Sequence, residues 1–578
     1  MLRRRKDLPP VQPQPWSALI PPDSFYARLA TNRDALVDDE LYVSLYKDSL
    51  KGRPSIPPSL VVLTMLLQYH DDCSDREAEA RVRFDLRWKH ALGLDLEDLG
   101  FDATVLCVFR RKLLDRGLER ALFNRLIAAA REAGILAKDA DQLIDSSHIL
   151  GAAGVRDTYT LIRGGIRQLL RALGYTPARH QELGARLGRY LDPDMPEKPD
   201  LDWSDAEARA AHLRELVADA RAALALVDPA EDASPKVAEA ASLLTKIVAD
   251  DVEEGPPAGP KRRRREAVEE PTPAVEAGSG EQAAADPGPR LRHGVARDRV
   301  LSVVDPQMRY GHKSSTQRWP GYKVHLSEEP ASELITHLEV RPANEHDAEP
   351  VVGFLERQEE QVGLQPGAIF CDGAYGTADV RAELGERGIE VVAKLRPLTD
   401  RKHLGKDEFV IELGANEGQG SVTCPAGVMT TDFRMARDGK DRPVRLFRFP
   451  AASCAACSLR DRCLGGGAGR VAHPVRPPPG RQVQLHFHEG VLQAARAAQK
   501  TPEQRRALRD RLRLRAKIER KISELCRRHG LRHGRYHGQQ KTDLQAVMTA
   551  TMVNAKRLTL PANRDAELGD RLWEELAA

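Results

Sequence analysis

The sequence predicts a mixed α/β fold with a helical N-terminal domain and a small cysteine-rich insert, and three observations predict it. The stretch AIFCDGAYGTADVRAELGERGIEVVAKL, from Ala368, reads as strand, turn, helix, strand. Its first apolar run, Ala368 to Cys371, ends on Asp372; Gly373 and Gly376 supply the turn, Thr377 an N-cap, and Glu390 to Leu395 the second run. Far upstream, DQLIDSSHILGAAG repeats the design, with Leu143 and Ile144 leading to Asp145 and Ser146, Ser147, His148 and Ile149 continuing in extended style. Cys424, Cys454, Cys457 and Cys463 cluster, whereas Cys73, Cys107, Cys371 and Cys526 are scattered.

A chain of 578 residues implies two to four domains. Lys and Arg total 88 against 85 Asp and Glu, a net charge of only +3, so bulk charge argues neither for nor against a nucleic-acid partner and local clusters must decide. No apolar run approaches the length of a membrane span. MLRRRKDLPP is basic but no apolar segment follows it, which speaks against a secretory signal and for a cytoplasmic protein without a membrane partner. In that setting clustered cysteines suggest metal more than disulfides.

Taken in order, the first 134 residues read as helical. PSLVVLTMLLQYHDD is a compact apolar helix introduced by Pro57 and Pro58, and Ser74 with Glu77 opens the next with a capping box. A third helix is predicted through VFRRKLLDRGLERALFNRLIAAAREAG to Gly134; its Arg110, Arg111 and Lys112 face either phosphates or plain solvent. After the Asp145 strand come helices at Leu161–Leu173, Ala206–Val227 and Lys236–Val252. The stretch from Glu253 to Gly288 has almost nothing to bury and reads as a disordered linker, with Lys261 to Arg265 a basic run inside it. Val300–Val304, Tyr322–Leu326 and Leu334–Val340 read as neighbouring strands. Asn344 is expected to cap a helix through Gln361, with Asp347 at the reciprocal position. Between Leu404 and Glu489 lies the polar insert with the clustered cysteines. Thr501, Pro502 and Gln504 then open a long helix expected to end at Gly530. At about 100° per residue, Glu519 lies beside the stripe of Leu508, Leu512, Ile518 and Ile522, with Arg515 one turn earlier on the same side. TDLQAVMTATMVNAKRL closes the fold.

Asp145, Asp372 and Glu519 thus come from two strands and a later helix. Three carboxylates so placed suit two hard divalent cations, Mg²⁺ or Mn²⁺, whose chemistry is phosphodiester displacement. Cys454-x₂-Cys457 is a tight chelating loop, with Cys463 close behind and Cys424, before Pro425 and Gly427, as a fourth thiolate for a structural Zn²⁺. The plainer reading of these four is unmetallated thiols, and His473, His486 and His488 are alternative ligands.

Here the sequence resembles bacterial insertion-sequence DDE transposases, enzymes with an RNase H-like catalytic core. LIDSSHI resembles the first-Asp strand, VVDPQMRYGHKS and GYKVHL the following hairpin, VRPANEHDAEP the entry to the next helix, FCDGAYG the second-Asp segment and RAKIERKISELCRRHGLRHGRYHG the helix bearing the Glu. GRPSIPPSLVVLTMLLQ and CSDREAEARVRFDLRWKHALGL resemble the helical domain that commonly precedes that core. The family's Tyr–Arg–Glu–Lys signature is met by Arg515 and Glu519, but Leu512 stands at the Tyr position and Cys526 at the Lys position, with Arg527 or Arg528 as substitutes for the Lys.

The resemblance implies catalytic Asp145, Asp372 and Glu519 holding two Mg²⁺ or Mn²⁺ ions, and DNA contacts from Arg110, Arg111, Lys112, Lys323, Arg515, Arg527 and Arg528. It implies terminal inverted repeats and target DNA as partners, a homodimer or higher assembly on DNA, and location at the bacterial nucleoid. The expected division is a helical DNA-binding domain at 1–138, the first part of the core at 139–403 with a helical insertion and linker at about 151–290, the Cys-rich insert at 404–490, and core-completing helices at 491–578. A nuclease that cuts without joining, or a DNA-binding derivative with an idle core, are the alternatives.

Overall fold

The computed structural model describes residues 2–8, 14–47, 54–196, 199–228, 234–254, 288–314, 316–395, 404–414, 420–439, 441–464, 480–559 and 566–577. Most of the predicted linker, and His473, lie outside them.

Six helices open the chain: α1 (Phe25–Leu36), α2 (Pro58–His70), α3 (Asp75–Phe84), α4 (Leu86–Leu92), α5 (Thr104–Arg116) and α6 (Ala121–Glu132). Apolar almost throughout, α2 is buried from Pro58 to Tyr69, and the Ser74–Glu77 capping box forms at the start of α3. Two predicted helices are each broken in two. Asp85 ends α3 in an extended conformation and caps α4, its carboxylate accepting from the Arg87 N–H. Gly117 ends α5 at φ +64°, a left-handed conformation that only glycine adopts without strain.

The main sheet contains β1 (Gln142–Leu150), β2 (Arg309–His312), β3 (Arg318–Glu328), β4 (Ile335–Pro342), β5 (Ala368–Phe370) and β6 (Glu390–Val392). Its order is β4-β3-β1-β5-β6, with β2 pairing the first residues of β3. Strand β3 is antiparallel to β1 and β4, whereas β5 and β6 run parallel to β1. Between β1 and β3 the chain makes α7 (Thr158–Ala172), α8 (Ala206–Leu224) and α9 (Pro235–Asp251), which bury their own core of Leu161, Ile166, Leu213, Leu216 and Leu244. The expected strand at Val300–Val304 does not form. Val300 packs into that helical core and Leu301 into the main one, so side-chain burial holds an irregular segment there.

Helices α10 (Val351–Val362) and α11 (Ala378–Glu386) follow β4 and β5. Helix α10 starts after Pro350, not at Asn344: Asn344 gives its amide to the Arg297 carbonyl, and Asp347 is bound by groups of the sheet. Thr377 caps α11 as expected. In the insert, β7 (Val410–Leu413), β8 (Gly420–Thr423) and β9 (Met429–Thr430) form one small sheet; β10 (Phe433–Arg437), β11 (Pro443–Arg448) and β12 (Gln482–His486) form another. Phe409, Val422, Phe447, Phe449 and Leu485 pack between them.

The chain ends in α12 (Glu489–Ala497), α13 (Pro502–Leu512), α14 (Arg515–Arg528), α15 (Gln539–Leu558) and α16 (Ala566–Ala577). The expected single helix to Gly530 is interrupted at Arg513 and Leu514, which keep helical dihedrals while their N–H groups tighten to the carbonyls three residues back. Helix α15 is buried from Leu544 to Ala555 and contacts β4, α2 and α6, so one apolar core runs through the N-terminal helices, one face of the sheet and α15. Ile144, Ile369 and Val391 cover the other face with α10 and α11. Among the described residues no helix is long and apolar enough to cross a membrane.

Candidate active site

Asp145 lies inside β1, not at its end, because antiparallel pairing with β3 carries the strand on to Leu150. The parallel register pairs Leu143 with Phe370, so Asp372, two residues beyond β5, comes level with Asp145 on the neighbouring strand. Asp372 accepts the Ala374 N–H within the glycine turn. Helix α14 contacts β1 and brings Arg515 to Asp145 at 3.1 Å, with Glu519 one turn on.

Burial is the main cause that pushes the Asp145 carboxyl above its ordinary range. The Ser146 N–H and Arg515 oppose the shift, while the charges of Asp372 and Glu519 add to it. The charges of two acids, one in the β5 turn and one on α14, therefore both reach Asp145 on β1. Glu519 is exposed, not turned against the sheet, and among the described residues no three His, Cys, Asp or Glu side chains are drawn tightly enough together to hold a metal ion. Glu524, five residues on, points elsewhere: it binds Lys556 at 2.7 Å, with His529 at 3.8 Å and Lys521 at 4.0 Å.

Beneath Asp145 lies a polar cluster that the sequence reading missed. Asp347 accepts from Lys323 Nζ at 2.8 Å and from Ser146 Oγ at 3.1 Å. His325 Nδ1 meets the Tyr375 hydroxyl at 3.1 Å, and burial pushes that histidine down to about 4. The signal was present. Lys323 and His325 alternate with Tyr322, Val324 and Leu326, placing polar groups on one face of a strand buried on both.

The DNA-contact candidates separate. Arg110 is buried, bound to Asp75 and stacked over Tyr536, so it is removed from any phosphate; the neighbouring acid on α3 claimed it. Lys112 lies over the Tyr46 ring at 4.7 Å, and Lys323 is spent on Asp347. Arg111, Arg527 and Arg528 are exposed, and Arg515 belongs to the carboxylate site. Cys526, at the position of the family Lys, is buried.

The four clustered cysteines, all free thiols, line one cavity of about 260 Å³ with Phe449 and Arg481. Cys424 sits in a turn closed by its N–H to Val428 and by the Gly427 N–H to its own carbonyl, with Gly427 at φ +79°. Burial raises the Cys463 thiol; Arg481 opposes this, and Cys454, Cys424 and Cys457 reinforce it.

Residues 423–559 match the transposase DDE domain family, a span that begins beside Cys424 and contains α14 with Glu519. Residues 14–112, the N-terminal helices through most of α5, match the transposase domain family DUF772. The chain thus carries a transposase DDE domain and, ahead of it, a second transposase domain. A transposase DDE domain implies a metal-dependent enzyme of DNA cleavage and transfer. No curated protein matches the chain. No solved structure matches it either.

Proposed function

We propose that this transposase is a bacterial insertion-sequence enzyme whose catalytic carboxylates are Asp145, Asp372 and Glu519, carried on an RNase H-like sheet. The observation that carries the assignment is the level placement of Asp145 and Asp372 on adjacent parallel strands, with α14 laying Arg515 on Asp145 and adding the charge of Glu519. The strand order 3-2-1-4-5, counting β1, β3, β4, β5 and β6, with only the second strand reversed, supports the RNase H-like reading.

The donor set fits hard divalent cations. All three groups are carboxylates, and the charges of Asp372 and Glu519 add to the burial that raises the Asp145 carboxyl. Asp145, Asp372 and Glu519 would hold two Mg²⁺ or Mn²⁺ ions, which when bound supply Lewis acidity for the attacking and leaving oxygens. Arg515 holds the Asp145 carboxylate in place. Ser146, pinned by Asp347, fixes the backbone beside it.

In this reading water first cleaves a strand at the element end, and the freed 3′-hydroxyl attacks target DNA. Both ends must be joined, so the working form on DNA is a homodimer or larger, at the nucleoid. Residues 1–138 would recognise terminal inverted repeats, 139–403 and 491–578 would build the core, and 404–490 would be a zinc-ribbon-like insert. Four thiols around one cavity, one of them in a Cys-Pro-x-Gly turn, fit a tetrahedral structural Zn²⁺.

The test incubates purified protein with Mg²⁺ and the DNA flanking its own gene, and maps nicks and joined products. Nicks at the element ends followed by strand-transfer products are expected. Nicks without joining would reduce the enzyme to a nuclease, and full cleavage by Asp372→Asn would sink the site.

A further inference from the structure

Eight exposed arginines lie along α13, α14 and the two residues between them, more than solubility or helix stability asks of one helix pair. At about 100° per residue, and with helical dihedrals kept through Arg513 and Leu514, Arg505, Arg509, Arg513, Arg520 and Arg527 fall within roughly 80° of arc. All five are exposed. Arg513 is tied only to Asp510, at 3.3 Å and largely in solvent, and Arg505 only to the carbonyls of Gln499 and Lys500. Among the described residues no carboxylate pairs with Arg509, Arg520 or Arg527. The other residues on this arc, Ala516 and Ser523, are small and leave the face open.

At 1.5 Å per residue the stripe is about 33 Å long, close to the roughly 34–36 Å of one duplex turn. Glu519 stands at its flank, about 40° from Arg505, between the arginines and the buried side of Ile518, Leu525 and Cys526. A duplex lying on the stripe therefore has a phosphodiester beside Glu519.

We propose that these five arginines form a phosphate track that seats duplex DNA along α13 and α14 and delivers the scissile strand to the carboxylate site. The proposal rests on the transposase reading and specifies which surface of the enzyme holds the DNA. Contacts of this kind carry no sequence information, so the track serves element ends and target DNA alike.

The experiment measures binding of the full-length protein to a fluorescent duplex of its own element end, and to one of scrambled sequence, across a salt series. Each lost phosphate contact lowers the slope of log K against log salt by about 0.9. The five-site Arg→Gln variant is expected to lose about 4.5 units of slope on both duplexes, and the Arg505/Arg509/Arg513 variant about 2.7. A control, Arg434→Gln, on the exposed surface of the insert, is expected to lose none. The two partial sets, 505/509/513 and 520/527, read the same quantity if the five-site protein does not fold. An unchanged slope in a folded variant, with wild-type binding intact, overturns the track and leaves the transposase reading standing. Failure of the wild-type protein to bind either duplex overturns both.

Discussion

Glu519 and Glu524 lie on the same helix and are expected to fail in opposite ways. Glu524 is a quarter exposed and binds two cations, Lys556 and the buried Lys521, with the His529 ring at 3.8 Å. Those partners, His529 foremost, hold its carboxyl well below the usual range although burial works against them. Breaking a buried pair costs roughly 3–5 kcal/mol; with a quarter of this side chain in water, about 2 kcal/mol is expected for Glu524→Gln. The sign follows from linkage. A depressed carboxylate stabilises the fold above its unfolded value, so the deficit should be complete near pH 7 and disappear as acid protonates the wild-type group. Glu519 is exposed and, among the described residues, is bound by no neighbour, so Glu519→Gln should change stability by less than about 0.5 kcal/mol. If Glu519 is one of three charges that hold catalytic cations, as proposed, removing it forfeits several kcal/mol of transition-state stabilisation. At 1.36 kcal/mol per decade, that is roughly 10³-fold in cleavage. Denaturant midpoints and single-turnover nicking of element-end DNA read the two effects separately. Full cleavage by Glu519→Gln, or a matching loss in folded Glu524→Gln, would refute the assignment.

Three further outcomes are expected. Glu328 is buried with neither carboxylate oxygen hydrogen-bonded, and burial pushes it up to about 7. The folded state binds its proton more tightly, so stability is whole below the unfolded value and falls as pH rises toward 7; Glu328→Gln should gain on the order of 2–3 kcal/mol at pH 8 and nothing near pH 4, measured by denaturation. Asp347→Asn strands the half-buried Lys323 and should cost about 2–3 kcal/mol, most of it recovered when Lys323→Met is added; a double mutant no better than the single would contradict the pairing. Cys454→Ser should abolish bound zinc by elemental analysis and raise hydrogen exchange across residues 404–490, whereas unchanged zinc content would exclude the four-thiolate site.

Local chemistry made part of this fold legible. The caps at Ser74, Thr377 and Thr501 form where the sequence places them, because each rests on two or three adjacent residues. Asn344 was misread because its competitor was distant: Pro350 starts the helix, and Lys323 on a neighbouring strand takes Asp347. Asp145 was recognised as an acid on a strand, but the run of β1 to Leu150 depends on the partner β3, some 170 residues away. Arg110 was read as a surface cation since nothing in its own helix reveals Asp75. Helix breaks at Gly117 and at Arg513 were hidden by apolar and basic patterning that continues through both.

Helix α15 has a consequence for how the enzyme is born. It packs on α2 and α6 as well as on β4, so the N-terminal helices lack one wall of their core until residues near 550 have been made. At roughly 5–20 residues per second, that leaves the almost wholly apolar α2 waiting on the order of tens of seconds after synthesis. The nascent chain is thus a customer for ribosome-associated chaperones. A message broken before α15 would leave the apolar α2 without that wall, and the proposed cutting site is complete only once α14, more than 500 residues into the chain, has been made.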